Sequence, residues 1–144
     1  MWSIYKEDHS DLNFAIGCLY CDAINMDEFK SWIEMLVLNL KSEDIPMYIY
    51  DLLDFDGELY HISKLIGFDI INDLSESEEY SIYGIAYLRN NPIYECPIGK
   101  DKAIMVLASN REVLERFKRF FPFINIKSPD SARLQTGDKH LPDI

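Results

Sequence analysis

Three carboxylates fall within five residues at Asp54-Phe55-Asp56-Gly57-Glu58. A calcium loop is the first chemistry such a cluster raises, and position decides it. With Gly57 as the sixth residue of a twelve-residue EF-hand loop, position 1 falls on Leu52 and position 12 on Ser63. Both should supply oxygen, and position 12 should be a bidentate Glu. Leu52 offers no side-chain oxygen and Ser63 is a weak substitute, so the spacing excludes a calcium loop. Cys18 and Cys21 form a CxxC, which binds zinc when a second pair completes the tetrahedron. Only Cys96 remains, with no neighbouring cysteine. A thioredoxin-type pair would sit at an exposed helix N-terminus after a strand, whereas this one lies at the far end of a helical pattern. The cysteines therefore read as small apolar core residues. His9, His61 and His140 are scattered, the six glycines are dispersed, and neither a metal site nor a cofactor is expected.

The segment Asp54-Phe55-Asp56-Gly57-Glu58-Leu59 resembles the Asp-x-Asp-Gly-Thr-Leu signature of haloacid-dehalogenase-type phosphatases. That resemblance implies Asp54 as nucleophile, Asp56 as general acid and magnesium on Asp54. It also requires a buried strand before the pair. Residues 48–53 are interrupted by Asp51, Glu58 replaces the threonine expected to bind phosphate, and the downstream chain is short for the fold's full sheet. A magnesium-dependent phosphatase-like enzyme using Asp54 and Asp56 is thus the alternative reading, and a non-enzymatic protein the preferred one.

The elements that must position these residues are mostly helical. Leu12, Ala15, Ile16, Leu19 and Tyr20 fall at helical spacing behind Ser10, a candidate N-cap. Asn25 and Glu28 fit a capping box, and Phe29, Trp32, Ile33, Leu36, Val37 and Leu40 form one apolar stripe behind it. Pro46 suits a first helical position, with Ile49, Leu52 and Leu53 following. Leu59, Ile62, Leu65 and Ile66 form another stripe, stopped at Gly67. Residues 69–79 read as an acidic loop. Residues 80–88 fit helix or strand. A short helix is expected over 100–107, and a further one opens with a Ser109–Glu112 capping box. Its apolar face is Val113, Leu114, Phe117, Phe120 and Phe121, and Pro122 ends it. The expected fold is mainly α, a single compact helical domain over 1–127. A small β element at 80–88 and 123–126 gives the α+β alternative. Residues 128–144 read as a flexible C-terminal tail.

The chain's 144 residues are 48% hydrophobic, enough for a buried core, and carry a net charge of −11. Residues 43–79 hold eleven acids and one base, Lys64, so this stretch accounts for −10 of that charge. Such a field repels nucleic acid and attracts cationic partners. Residues 1–8 lack the basic start and apolar run of a signal peptide. No apolar run is long enough for a membrane span, and three cysteines do not suit a disulfide framework. A cytoplasmic location without membrane association is expected.

Several segments carry a family resemblance in order: Tyr48-Ile49-Tyr50-Asp51-Leu52-Leu53-Asp54-Phe55-Asp56-Gly57, Lys64-Leu65-Ile66-Gly67-Phe68, Tyr83-Gly84-Ile85-Ala86-Tyr87, Cys96-Pro97-Ile98-Gly99-Lys100, and Glu115-Arg116-Phe117-Lys118 onward to Phe123. Over residues 25–126 the chain resembles the immunity proteins of bacterial contact-dependent growth-inhibition systems. The resemblance implies tight binding to the C-terminal domain of a cognate toxin, often a nuclease, in the cytoplasm. A nuclease must be basic to hold phosphates, so an acidic inhibitor fits it. The expected toxin-binding residues are Asp51, Asp54, Asp56, Glu58, Asp69, Asp73, Glu76, Glu78 and Glu79, with Tyr48 and Tyr60 as aromatic anchors. An acidic inhibitor of some other basic protein is a further alternative.

Overall fold

In the computed structural model, which describes residues 2–126, seven α-helices carry the chain and no strand forms among the described residues. They are α1 (Ser10–Tyr20), α2 (Met26–Asn39), α3 (Met47–Leu53), α4 (Ile62–Ile66), α5 (Glu76–Leu88), α6 (Lys100–Ser109) and α7 (Arg111–Phe120). Short 3-10 turns at Ser42–Asp44 and Leu59–His61 lead into α3 and α4. The protein is mainly α, as its sequence pattern predicts. The β elements expected at 80–88 and 123–126 do not form: the first lies within α5 and the second is irregular. The tail expected at 128–144 lies outside the described residues. The helices group into two compact units, residues 2–20 with 24–74, and residues 21–23 with 75–126.

The first unit holds α1 to α4. In α2 the predicted capping box is present: the Asn25 side chain accepts the Glu28 N–H at 2.8 Å and the Glu28 carboxylate accepts the Asn25 N–H at 2.9 Å. Phe29, Trp32, Ile33 and Leu36 are fully buried along one stripe, each contributing about 1.5–3 kcal/mol. Helix α1 is buried nearly all round, with Phe14 and Cys18 joining the predicted Leu12, Ala15, Ile16 and Leu19. Ser10 is its first residue rather than its cap. The orphan N–H groups of Asp11 and Leu12 go to the Ser3 carbonyl at 3.1 and 3.2 Å, and the Asp11 carboxylate takes the Ser3 N–H at 2.9 Å. Pro46 stands one residue before α3. Gly67 ends α4 in the left-handed region at φ 90°, the conformation that glycine adopts without a Cβ clash.

The second unit holds α5 to α7. Helix α5 starts seven residues later than the acidic run does, because Ser75 and Glu78 form a capping box. The Ser75 hydroxyl accepts the Glu78 N–H at 3.1 Å and the Glu78 carboxylate accepts the Ser75 N–H at 2.9 Å. The expected loop therefore ends at Ser75, and Glu76, Glu78 and Glu79 occupy a first helical turn, where the dipole favours acids. Helix α6 lies against α5 so closely that a Cβ on Gly84 would be 2.6 Å from the Ala103 carbonyl oxygen. The Ser109–Glu112 box does not form. Ser109 ends α6 and donates to the Met105 carbonyl at 3.2 Å. Asn110 precedes α7 instead, and its amide donates to Ser77 Oγ at 2.6 Å and to the Val106 carbonyl at 3.1 Å. The predicted face of α7, Val113, Leu114, Phe117, Phe120 and Phe121, is buried. The 21–23 turn is tied into this unit by Arg89 Nη1 on the Ala23 carbonyl at 2.7 Å and Asn91 Nδ2 on the Asp22 carbonyl at 2.8 Å.

Candidate functional site

The division into units reapportions the charge. The first unit has 14 acids and 4 bases, a net of −10; the described part of the second has 8 acids and 7 bases, a net of −1. Of the nine carboxylates expected to form the binding surface, Asp51, Asp54, Asp56, Glu58, Asp69 and Asp73 belong to the first unit and Glu76, Glu78 and Glu79 to the second.

Their surroundings separate them further. Asp51 projects from α3, Asp54 caps its C-terminal end, Asp56 and Glu58 follow in the loop, and Asp69 lies past Gly67. All five are exposed. Their carboxylates make no hydrogen bond or ion pair among the described residues. Asp73 is exposed but bonded, accepting from Asn13 Nδ2 at 2.6 Å. Glu78 closes the α5 capping box. Glu79 is half-buried and lies near the Cys21 thiol. Asp73 and Glu78, both expected to bind toxin, thus also have structural partners within the fold.

The two tyrosines expected as anchors part company. Tyr48 is only 8% exposed; its ring meets Phe68 edge-on at 5.5 Å, and burial pushes its hydroxyl well above the usual tyrosine range. It is a core residue of the first unit and cannot be a surface anchor. Tyr60 is 70% exposed. It sits in the 3-10 turn directly after Glu58, its ring 4.2 Å from the His61 ring. Sequence reading missed Tyr20, whose hydroxyl donates to the Leu59 carbonyl at 2.9 Å and which is itself half exposed. Its place at the end of the α1 stripe signalled burial. The loop is held from beneath by Phe55, which is buried while Asp54, Asp56, Gly57 and Glu58 around it are exposed. The Glu58 carbonyl accepts the His61 N–H at 2.9 Å. The turn after this loop thus exposes Tyr60 and, through the Leu59 carbonyl, is tied to the half-exposed Tyr20.

The same loop does not provide the frame of the phosphatase signature. Residues 47–53 are helix rather than strand, and Asp54 stands at the helix C-terminus, whose dipole disfavours further negative charge. No group of three or more His, Cys, Asp or Glu side chains among the described residues could hold a metal ion. Cys18 and Cys21 are both buried, as expected of core thiols. Burial pushes the Cys21 thiol up to about 12, far from the thiolate that nucleophilic chemistry requires. Among the described residues no helix is long and apolar enough to cross a membrane. Comparison with protein-family models, curated proteins and solved structures finds no match for this chain.

Proposed function

We propose that this chain is an immunity protein that neutralises the C-terminal domain of a cognate bacterial toxin, a basic domain of nuclease type, by binding it without turnover in the cytoplasm. The observation that carries this reading is the loop from Asp54 to His61. Within eight residues it exposes Tyr60 together with Asp54, Asp56 and Glu58, carboxylates that have no partner within the described chain, on a unit of net charge −10. These carboxylates make no bond within the described chain and so are open to a partner. Their field steers a cationic surface inward and fixes its orientation. A tyrosine adds buried area with little entropy cost and stacks on arginine or lysine heads. The sequence resemblance to contact-dependent growth-inhibition immunity proteins supplies the class of partner.

Co-expression with a candidate toxin domain tests the proposal. The chain is expected to restore survival and to co-purify with the toxin. Tyr60→Ala is expected to weaken binding by about 2 kcal/mol, roughly thirtyfold in Kd. Loss of protection with no complex formed, or full affinity in a folded Tyr60→Ala protein, would sink this assignment.

A further inference from the structure

The segment that follows α4 is held in a way that toxin binding does not require. His9, Asn13 and Gly17 are spaced four residues apart, the spacing that aligns side chains on one helix face. Each holds a residue of the 68–74 segment. The Ile71 N–H donates to His9 Nε2 at 3.0 Å, Asn13 Nδ2 donates to Asp73 Oδ1 at 2.6 Å, and the Leu74 side chain lies where a Cβ on Gly17 would be 2.8 Å from it. The Phe68 ring covers the imidazole at 5.2 Å. This lashing leaves the Ile71 side chain 68% exposed between the exposed Asp69 and Asp73.

The two bonds of His9 together require one form of the ring. His9 is buried. Its Nδ1 lies 3.0 Å from the Lys6 carbonyl, which only accepts, so Nδ1 carries the proton. Its Nε2 receives the Ile71 N–H, so Nε2 must be bare. That is the neutral Nδ1–H tautomer. A second proton would enter at Nε2 and set N–H against N–H. The charged groups on the elements packed around the ring are Lys6, Glu7 and Asp8 on its own turn, Asp11 on α1, and Asp69 and Asp73 on the segment. The Asp11 carboxylate is bonded to the Ser3 N–H and that of Asp73 to Asn13, and neither ring nitrogen has a carboxylate partner.

We propose that His9 is a proton-operated latch. Neutral, it fixes the Ile71 backbone along α1; protonated, it breaks that bond and changes how Ile71 is displayed, while Asn13 still holds Asp73. The latch is closed while Nε2 is bare and opens when that nitrogen takes a proton. The device stands independently of toxin binding.

Amide exchange of the full chain followed by NMR at pH 7.5 and 5.5, corrected for the intrinsic pH dependence of exchange, tests it. Protection at Ile71 is expected to fall by about an order of magnitude at the lower pH. In His9→Gln the carboxamide oxygen can accept the same N–H and does not titrate, so the fall is expected to vanish. Equal protection at both pH values in the wild-type chain, or the same fall in His9→Gln, overturns the latch. Should His9→Gln not fold, the wild-type chain still decides. Protonation of His9 Nε2, read from its nitrogen shift, and the Ile71 amide shift must follow one titration curve, and two separate midpoints overturn it.

Discussion

The two units differ far more in what their acids do than in how their helices form. Each contains a helix opened by a complete capping box, Asn25–Glu28 in the first and Ser75–Glu78 in the second. Each buries an aromatic stripe, Phe29 and Trp32 in one, Phe117 and Phe120 in the other. Yet the first nets −10 while the described part of the second nets −1. In the second unit Glu78 caps α5 and the bases of α7 offset Glu112 and Glu115. In the first, Asp51, Asp54, Asp56, Glu58 and Asp69 stand exposed without partners among the described residues. Uncompensated like charge destabilises a compact state and also keeps it soluble; under the proposed function it steers a cationic partner. The comparison teaches that pairing within the fold, rather than the count of acids, decides which carboxylates stay available to a partner.

The largest expected effect tests the packing of the second unit. Glycine to alanine inside a helix ordinarily stabilises by about 1 kcal/mol. At Gly84 the added Cβ would meet the Ala103 carbonyl oxygen at 2.6 Å, a backbone atom that cannot swing away. Overpacking of this kind costs about 1–3 kcal/mol. Because that atom is backbone, the cost lies at the upper end, about 3 kcal/mol, and Gly84→Ala is expected to destabilise by about 2 kcal/mol net in urea unfolding followed by circular dichroism. A gain in stability would mean that α5 and α6 are not in the contact described.

The next tests the charge contrast itself. Reversing Asp54, Asp56 and Glu58 to lysine moves the first unit from −10 to −4. Reversing Glu76, Glu112 and Glu115 alters the charge of the second unit by the same amount. If steering follows the surface proposed here, the first triple variant slows association with the toxin about tenfold at low salt, and the second far less. Stopped-flow association rates at two ionic strengths decide between them, since the difference must shrink as salt screens the field. Equal slowing by both would show that total charge, and not the Asp54–His61 loop, does the steering.

Much of this was legible in the chain. The α2 stripe from Phe29 to Leu36, its capping box and the Gly67 stop are local features with one physical solution and stand where the pattern predicts them, while Val37 and Leu40 of the same stripe are only half-buried. The tyrosines show where local reasoning fails. Assigning the α3 stripe to Ile49, Leu52 and Leu53 hid Tyr48, which shares a face with Leu52 and is buried with it. One residue's error rotates a helical stripe by about 100°, enough to turn a core tyrosine into an apparent anchor. The partition of the acids between two units had no signal at all, because it depends on which helices pack together.

The smallest expected effect concerns two serines that look alike in sequence. Ser75 and Ser109 each precede a glutamate by three residues, Glu78 and Glu112, and each satisfies the capping-box pattern. Only Ser75 caps a helix. At the second site the chain remains in α6 through Ser109, and the residue between the helices is Asn110, whose amide is bonded to Ser77 of α5 and the Val106 carbonyl. The interhelix contact takes precedence over the local one. Ser75→Ala should then cost about 1 kcal/mol, the usual worth of an N-cap, whereas Ser109→Ala should stay within about 0.5 kcal/mol of wild type. Urea unfolding of the two variants measures the difference. Equal losses would restore the local reading and place the start of α7 at Ser109. An unequal pair would show that one motif, repeated within a single unit, is decided by the neighbour that the next residue finds.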